Sequence, residues 1–487
     1  KGKLACGVNR RFSEVQSGVR APLNIKVGEV QNNFELLSKE RFDDFDLTLY
    51  KFQHKNLGTV HYHIERKDSN NSFAVSFRTV PEDSTGKMHI LEHLALCGSE
   101  KYPVRDPFMN MLRRSLNTYM NAWTGPDFTA YPFSTANTAD FYNLLSVYAE
   151  AVFKPLLRRT DFLQEGWRLE HQNPLDPNTP LQIKGVVYNE MKGVYENPDN
   201  LFMESLQSML MPGTPYIYDA GGKPSDIPNL THEDLKNYHK KNYHPSNATI
   251  FTYGDMDVRK HQTFLEENFL SSFKNLSFKK PSMEPTLNSP IRKKITMPPP
   301  AVELQKGKDS MFGISFLCNQ MGKDIEDSIG LSLLSYLLFD TPSSPFYVDF
   351  LETGLADAYS PGHGYESNVL PSFFTIGFKN IKRGSEEEVE KKIMDTLKRV
   401  AEEGFEPELV EAACHQLEIQ SKVEQSNFGL QLFQGFLGPI THNQDNLIKQ
   451  GLSLKQTLEH IRKEAPNGYF ENLIKKYFLK DRKSTRL

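Results

Sequence analysis

His89, Glu92 and His93 stand in an H-x-x-E-H arrangement inside the run 88–97, and this spacing has a direct chemical reading. On a helix, residues four apart project from one face about one turn apart, so two neutral imidazoles can reach a single zinc ion. Glu92, three residues after His89, falls on the same side. It is placed to take a proton from a water at the metal without itself ligating, and zinc makes that proton easier to remove at neutral pH. The chain has 14 histidines in 487 residues. Independent placement would produce the pattern only about 0.03 times in such a chain, so a merely hydrogen-bonded polar helix face is the weaker reading. His61 and His63, alternating on a predicted strand, and His239 and His244, flanking a helix end, read as ordinary structural residues.

A catalytic zinc needs three protein ligands and an open fourth position, so another donor must come from elsewhere in the chain. Glu165, Glu170, Glu190 and Glu196 all qualify, and spacing does not choose among them. The elements that must hold these groups are legible on either side. Segments 58–65 and 73–80 alternate as strands do, and 140–153 places Phe141, Leu144, Leu145, Tyr148 and Val152 on one helix face before Pro155 ends it. Thr231 and Asp234 form a capping box that opens a further helix, and 248–253 reads as a buried strand.

The prolines at 281, 285, 290, 298, 299 and 300 mark an interdomain linker over 275–303. Beyond it, strands are predicted at 311–318 and 372–378, and helices at 324–339, 385–403 and 407–425. The fold class is therefore α+β, with units at 34–274 and 304–487. The tail 480–487 is basic, lacks apolar periodicity, and is expected to be the cut end of a domain.

A net charge of −4 makes no demand for nucleic acid or an anionic membrane as partner. No apolar run approaches the ~18–20 residues of a spanning helix, which excludes membrane insertion by that route. Cys6, Cys97, Cys318 and Cys414 are scattered with no C-x-x-C pair, which fits a reducing compartment better than a disulfide scaffold. The segment 1–33 is basic, with six Lys or Arg against Glu14 in its first 28 residues, and has the composition of a transit-peptide remnant.

Together with the motif, the stretches Asn121-Ala-Trp-Thr124, Tyr131-Pro-Phe-Ser134, Gln164-Glu-Gly-Trp-Arg-Leu-Glu170, Gly185-Val-Val-Tyr-Asn-Glu-Met-Lys-Gly193 and Tyr243-His-Pro-Ser-Asn247 resemble the inverted-motif zinc peptidases of the pitrilysin type. The similarity extends from about residue 34 to 480. One departure is Lys87-Met88 before the first histidine, where such peptidases usually show Val-Pro; it alters the helix entry and touches no ligand.

The resemblance implies that Glu190 is the third zinc ligand, with one Zn2+ per chain, and that the second unit is metal-free. It implies one half of a clamshell peptidase that degrades unstructured peptides, such as cleaved targeting presequences, in the mitochondrial matrix. The other half would close the chamber and supply an Arg and a Tyr near the zinc. The segment Thr118-Tyr-Met-Asn-Ala-Trp-Thr124 looks like the edge strand on which such enzymes lay an extended peptide, with Asn121 and Ala122 as contacts. Phe108, Met109 and Leu112 are spaced for one helix face, either to line an apolar pocket beside the scissile bond or to serve as simple core. The alternative is a non-catalytic structural or peptide-binding subunit of the same architecture. Relatives of that sort usually lack the intact motif that this chain retains.

Overall fold

The computed structural model describes residues 23–279, 281–297, 307–320, 324–480 and 484–487. Residues 1–22 of the basic segment and Pro298, Pro299 and Pro300 of the linker lie outside the described residues.

The first sheet has nine strands: β1 (Val30–Gln31), β2 (Phe34–Phe42), β3 (Leu47–His54), β4 (Val60–Glu65), β5 (Asn71–Arg78), β6 (Asn117–Met120), β7 (Trp123–Thr124), β8 (Phe128–Thr135) and, after a separate hairpin of β9 (Arg168–His171) with β10 (Leu181–Lys184), β11 (Ala248–Gly254). β11 enters between β4 and β5, parallel to the former and antiparallel to the latter. β6 and β7 both run along β8 at the end of the sheet.

Eight helices accompany these strands: α1 (Lys87–Ala95), α2 (Pro107–Arg114), α3 (Thr138–Phe153), α4 (Arg159–Glu165), α5 (Val186–Glu196), α6 (Pro198–Leu210), α7 (His232–Asn242) and α8 (Val258–Asn268). Alternation along the strands sorts the side chains between two faces. Phe73, Val75 and Phe77 of β5 join Ile90, Leu91 and Leu94 of α1 and Phe141, Leu144 and Tyr148 of α3 in one core. Ala74 of β5 and Phe251 and Tyr253 of β11 face the other way. The starts of α3 and α7 are capped by side chains, Asn137 accepting from the Asp140 N–H and Thr231 from the Asp234 N–H.

The second sheet contains β12 (Ile291–Arg292), β13 (Ser310–Leu317), β14 (Ala358–Tyr359), β15 (Gly364–Glu366), β16 (Phe373–Ile381) and β17 (Ser484–Arg486). It packs against α9 (Ile325–Phe339) and α10 (Glu386–Glu403), with α11 (Pro407–Lys422) behind them. Two further helices, α12 (Phe428–His442) and α13 (Asp445–Gly451), leave this unit altogether. Their Phe428, Phe433, Phe436, Leu437 and Ile448 cover Leu47, Leu49, Ile64 and Phe251 on the open face of the first sheet.

The exchange is reciprocal. Phe202 and Leu206 of α6 lie on the second sheet, where a Cβ at Gly313 would come within 2.9 Å of the Phe202 ring. A side chain as buried as Phe433 contributes on the order of 2–3 kcal/mol. The two units are therefore bound through each other's helices, and packing does not divide the chain at the linker as the segment 304–487 suggests.

The tail joins the second sheet. Ser484–Arg486 is a strand lying between β12 and β13, Leu487 is buried, and Arg486 pairs with Glu390 at 2.8 Å. Main-chain pairing needs no apolar periodicity in so short a strand, which is why the basic sequence concealed it.

Candidate metal centre

Helix α1 buries Met88, Ile90, Leu91, Leu94 and Ala95 against the sheet, which turns His89, Glu92 and His93 to its other side. Its entry depends on Gly86, at φ +68°, where a Cβ would lie 2.6 Å from the Gly221 carbonyl oxygen. That same oxygen stands 3.2 Å from Nδ1 of His89. Nδ1 of His93 is 3.1 Å from Oε2 of Glu165. Each imidazole thus has an acceptor on Nδ1, which fixes the proton there and leaves Nε2 as the free donor atom.

Glu190 projects from α5, whose Val187 and Met191 face the core. The start of α5 abuts the end of α4 so closely that a Cβ at Gly185 would come within 1.9 Å of the Gly166 oxygen. This approach brings Glu165 and Glu190, 25 positions apart in sequence, to the same pair of histidines. Ligand atoms of His89, His93 and Glu190 lie within 4.8 Å of one another, and Nε2 of His89 is 3.7 Å from Oε2 of Glu190. Tetrahedral ligands at about 2.1 Å from zinc stand roughly 3.4 Å apart, so two imidazole nitrogens and one carboxylate oxygen fit such an ion with small movements.

The four carboxylates left open by spacing have distinct positions. Glu165 lies behind His93 as its hydrogen-bond partner. Glu170 is held in the β9–β10 hairpin by Arg168 at 2.6 Å and Lys184 at 3.0 Å. Glu196 is exposed at the end of α5. Only Glu190 joins the histidines in a cluster of metal-ligating geometry among the described residues.

Burial pushes the Glu92 carboxyl above its ordinary range, opposed by a hydrogen bond from the Thr124 hydroxyl to Oε2 and by the two histidines. Burial works against a charged His93, but the hydrogen bond to Glu165 and the fields of Glu92 and Glu190 outweigh it and raise its pKa. Burial would likewise raise Glu165, yet its bond to His93 holds it below the usual carboxylate range. This concentration of negative charge around two imidazoles suits a divalent cation.

The expected peptide-binding segment is broken rather than continuous. Strands β6 and β7 stop on either side of Asn121 and Ala122. The Asn121 N–H donates to the Pro132 oxygen at 3.2 Å, its carbonyl accepts from the Tyr148 hydroxyl at 3.2 Å, and the Ala122 N–H donates to the Asn121 Oδ1 at 2.9 Å. Asn121 is exposed and Ala122 buried. Phe108, Met109 and Leu112 do not form one wall either. Phe108 belongs to the core, 6.2 Å from the Tyr148 ring, because α2 turns it inward while leaving Met109 and Leu112 exposed.

Two groups at the centre had no signal in the sequence. Thr124 meets Glu92 through the sheet, and the Gly221 carbonyl reaches His89 through a loop far along the chain.

Two imidazoles and a carboxylate beside a half-buried glutamate, carried by an α+β sheet unit, form a cluster of metal-ligating geometry. The comparisons with known proteins point the same way. A model described as Insulinase (Peptidase family M16) matches residues 78–173, and one described as Peptidase M16 inactive domain matches 229–417. The chain belongs to peptidase family M16.

It is 42% identical over 467 residues to a mitochondrial presequence protease of Xenopus laevis, covering 95% of this chain and 45% of that protein. It is 41% identical over 483 residues to a mitochondrial presequence protease of Mus musculus, covering 98% of this chain and 46% of that protein. The chain thus spans about half the length of the curated relatives it matches. A crystal structure of a protease from Helicobacter pylori shares the fold, with a TM-score of 0.65 at 21% identity over 90% of this chain and 98% of that one.

Proposed function

We propose that this chain is the metal-binding half of a zinc metalloendopeptidase that hydrolyses unstructured peptides, cleaved targeting presequences among them, in the mitochondrial matrix. The carrying observation is the convergence of donor atoms from His89, His93 and Glu190 within 4.8 Å, with Glu92 beside them on the same helix. The names of the relatives supply the substrate class and the mitochondrion. In this reading His89, His93 and Glu190 hold one Zn2+, which when bound polarises the scissile carbonyl and acidifies water.

The chain's own residues supply the rest. Gly221 and Glu165 hold both imidazoles in the tautomer that offers Nε2. Glu92 accepts a proton on its carboxylate from the attacking water and returns it to the leaving amine, a task suited to a carboxyl lifted by burial. Thr124 keeps one Glu92 oxygen occupied, so the other takes the proton. Asn121, Ala122, Met109 and Leu112 border the peptide, and Phe108 supports them from the core. The remaining length present in the relatives closes the chamber.

The test measures zinc stoichiometry and cleavage of an unstructured fluorogenic peptide, for this chain alone and joined to the remaining length of a relative. Glu92→Gln is made in each. Zinc is expected in all of them, with cleavage in the joined protein falling about 10²–10⁴-fold on substitution. Zinc retention without any Glu92-dependent cleavage would instead favour a non-catalytic peptide-binding subunit. No described helix is long and apolar enough to cross a membrane.

A further inference from the structure

The partner of His89 Nδ1, the Gly221 carbonyl oxygen at 3.2 Å, lies in a stretch between Tyr218 and Lys223 that is neither helix nor strand. A main-chain oxygen in such a loop needs other contacts to keep it in place. Asp219 provides two of them. Its Oδ1 accepts from the Gly221 N–H at 2.8 Å, which closes a short turn just before that carbonyl, and its Oδ2 accepts from the Tyr195 hydroxyl at 2.7 Å. A carboxylate placed only to close the loop's own turn would need one oxygen. The second reaches a different element, for Tyr195 stands on α5 a little over one turn beyond Glu190.

Ser84, just before α1, holds the same loop from the other side. Its hydroxyl oxygen accepts from the Asp219 N–H at 3.2 Å, and its carbonyl oxygen accepts from the Lys223 N–H at 2.8 Å. The approach leaves no room for side chains. A Cβ at Gly221 would come within 2.9 Å of the Met191 methyl carbon, and one at Gly222, where φ is +103°, within 2.7 Å of the Gly86 Cα. The loop is thus wedged between the helix that carries both histidines and the helix that carries Glu190. Asp219 is half-buried, so its two bonds are made partly out of water, where they are stronger than on an open surface.

We infer that Asp219 is a positioning residue of the candidate metal centre, tying α5 to the carbonyl that orients His89 so that the imidazole and the Glu190 carboxylate keep one spacing. The inference rests on the reading of His89 and Glu190 as zinc ligands. Asp219 acts through Gly221 and Tyr195. With the Gly221 carbonyl held in place, Nδ1 keeps the hydrogen and Nε2 remains the donor atom.

The test uses the full chain and two readouts. In metal-free protein with isotopically labelled histidine, at about pH 9 where neutral imidazoles predominate, nitrogen chemical shifts report which ring nitrogen carries hydrogen. His89 and His93 should both carry it on Nδ1 in the unaltered chain. Asp219→Ala should turn His89 into a mixture of tautomers and leave His93, which Glu165 holds, as it was. Zinc affinity, measured by competition with a chelator, should fall about tenfold. Tyr195→Phe keeps the ring and loses one of the two bonds, so the same changes should appear in smaller degree, with affinity down about threefold. Asp219→Asn still accepts from the Gly221 N–H and can donate to the Tyr195 oxygen, and it should restore both readouts.

An unshifted His89 in Asp219→Ala would overturn the assignment, whatever happened to zinc affinity. So would equal changes in His89 and His93, the mark of a general loosening rather than of a tether to one imidazole. Tyr195→Phe carries the same comparison if Asp219→Ala folds poorly. Failure of the unaltered chain to bind zinc would remove the metal reading instead, and the tautomer of His89 would still decide for or against Asp219.

Discussion

Helices α1 and α9 occupy equivalent places in the two units, and they are built on opposite plans. Each follows a central strand, β5 or β13, and each strand pairs antiparallel with another, β8 or β16, that leads into a long helix. In α9, Ile329, Leu331, Leu333, Leu334, Leu337, Leu338 and Phe339 are all buried, and the helix carries no histidine. In α1 the apolar residues are confined to one side, and the other side is given to two imidazoles and a carboxylate. The second unit uses this position for packing, whereas the first gives it to the candidate metal centre. The same scaffold tolerates both because α1 still buries five side chains.

The difference extends into the sheets. His61 lies wholly inside the first unit, 2.8 Å from the Thr252 hydroxyl, and burial together with repulsion by His261 pushes its pKa down to about 3. Burial also lowers His239 and His244 in this unit. An unfolded histidine takes up a proton near pH 6.5, while folded His61 stays neutral until about pH 3. Between those values the unfolded chain binds more protons, so stability falls as pH decreases through about 6.5, at up to about 1.4 kcal/mol per pH unit for each such group.

Acidification from about pH 7 to about pH 5 should therefore open β4 and β11 to amide exchange well before β13 and β16. The experiment belongs in His89→Ala protein, so that loss of metal at low pH adds nothing. Equal deprotection of both sheets, after correction for intrinsic exchange rates, would erase the contrast between the units.

A smaller effect is expected from the carboxylate behind His93. Glu165→Gln keeps a similar shape but surrenders the charge-assisted bond to Nδ1, and outer-shell partners of this kind carry about 10–100-fold in metal affinity. Glu170→Gln, in the β9–β10 hairpin, should leave affinity unchanged. Competition with a zinc chelator separates the two, and equal affinities in both variants would show that Glu165 only fills space.

The motif pair on α1 was legible because helical period alone sets its geometry. The α+β class was legible from alternation in 73–80 and from the one-sided apolar face of 140–153. The third candidate ligand was not, since Glu165, Glu170, Glu190 and Glu196 differ in fold position and not in local pattern. Close approach of α4 and α5 at Gly166 and Gly185 brings Glu190 into the cluster with the histidines, and it is a tertiary fact. The family resemblance selected Glu190 where periodicity could not. Phe108 was left open between pocket and core for a related reason. With Met109 and Leu112 it reads as one apolar group, but α2 is short, and its burial is settled by Tyr148 on a neighbouring helix. Nor does any local rule foresee that α12 of the second half would cover the first sheet, because an apolar helix face does not name its partner.

The mildest expected effect falls on Thr124, and it bears on whether the sheet edge takes part in the chemistry of α1. Its hydroxyl donates to Oε2 of Glu92, and this bond is the chief influence holding the carboxyl down against burial. Thr124→Val preserves the branched shape that suits β7 and removes the donor. The Glu92 pKa then rises further, and because the proposed base must be deprotonated to act, the acidic limb of the pH–rate profile moves to higher pH. Turnover at neutral pH should drop about tenfold, roughly the worth of one hydrogen bond to a charged group, with zinc content unchanged. Thr124→Ser restores the donor and should restore the profile. If Thr124→Val instead lost zinc, or lowered turnover without moving the acidic limb, Thr124 would be acting through the packing of β7 against β8, and the chemistry would rest on α1 and α5 alone.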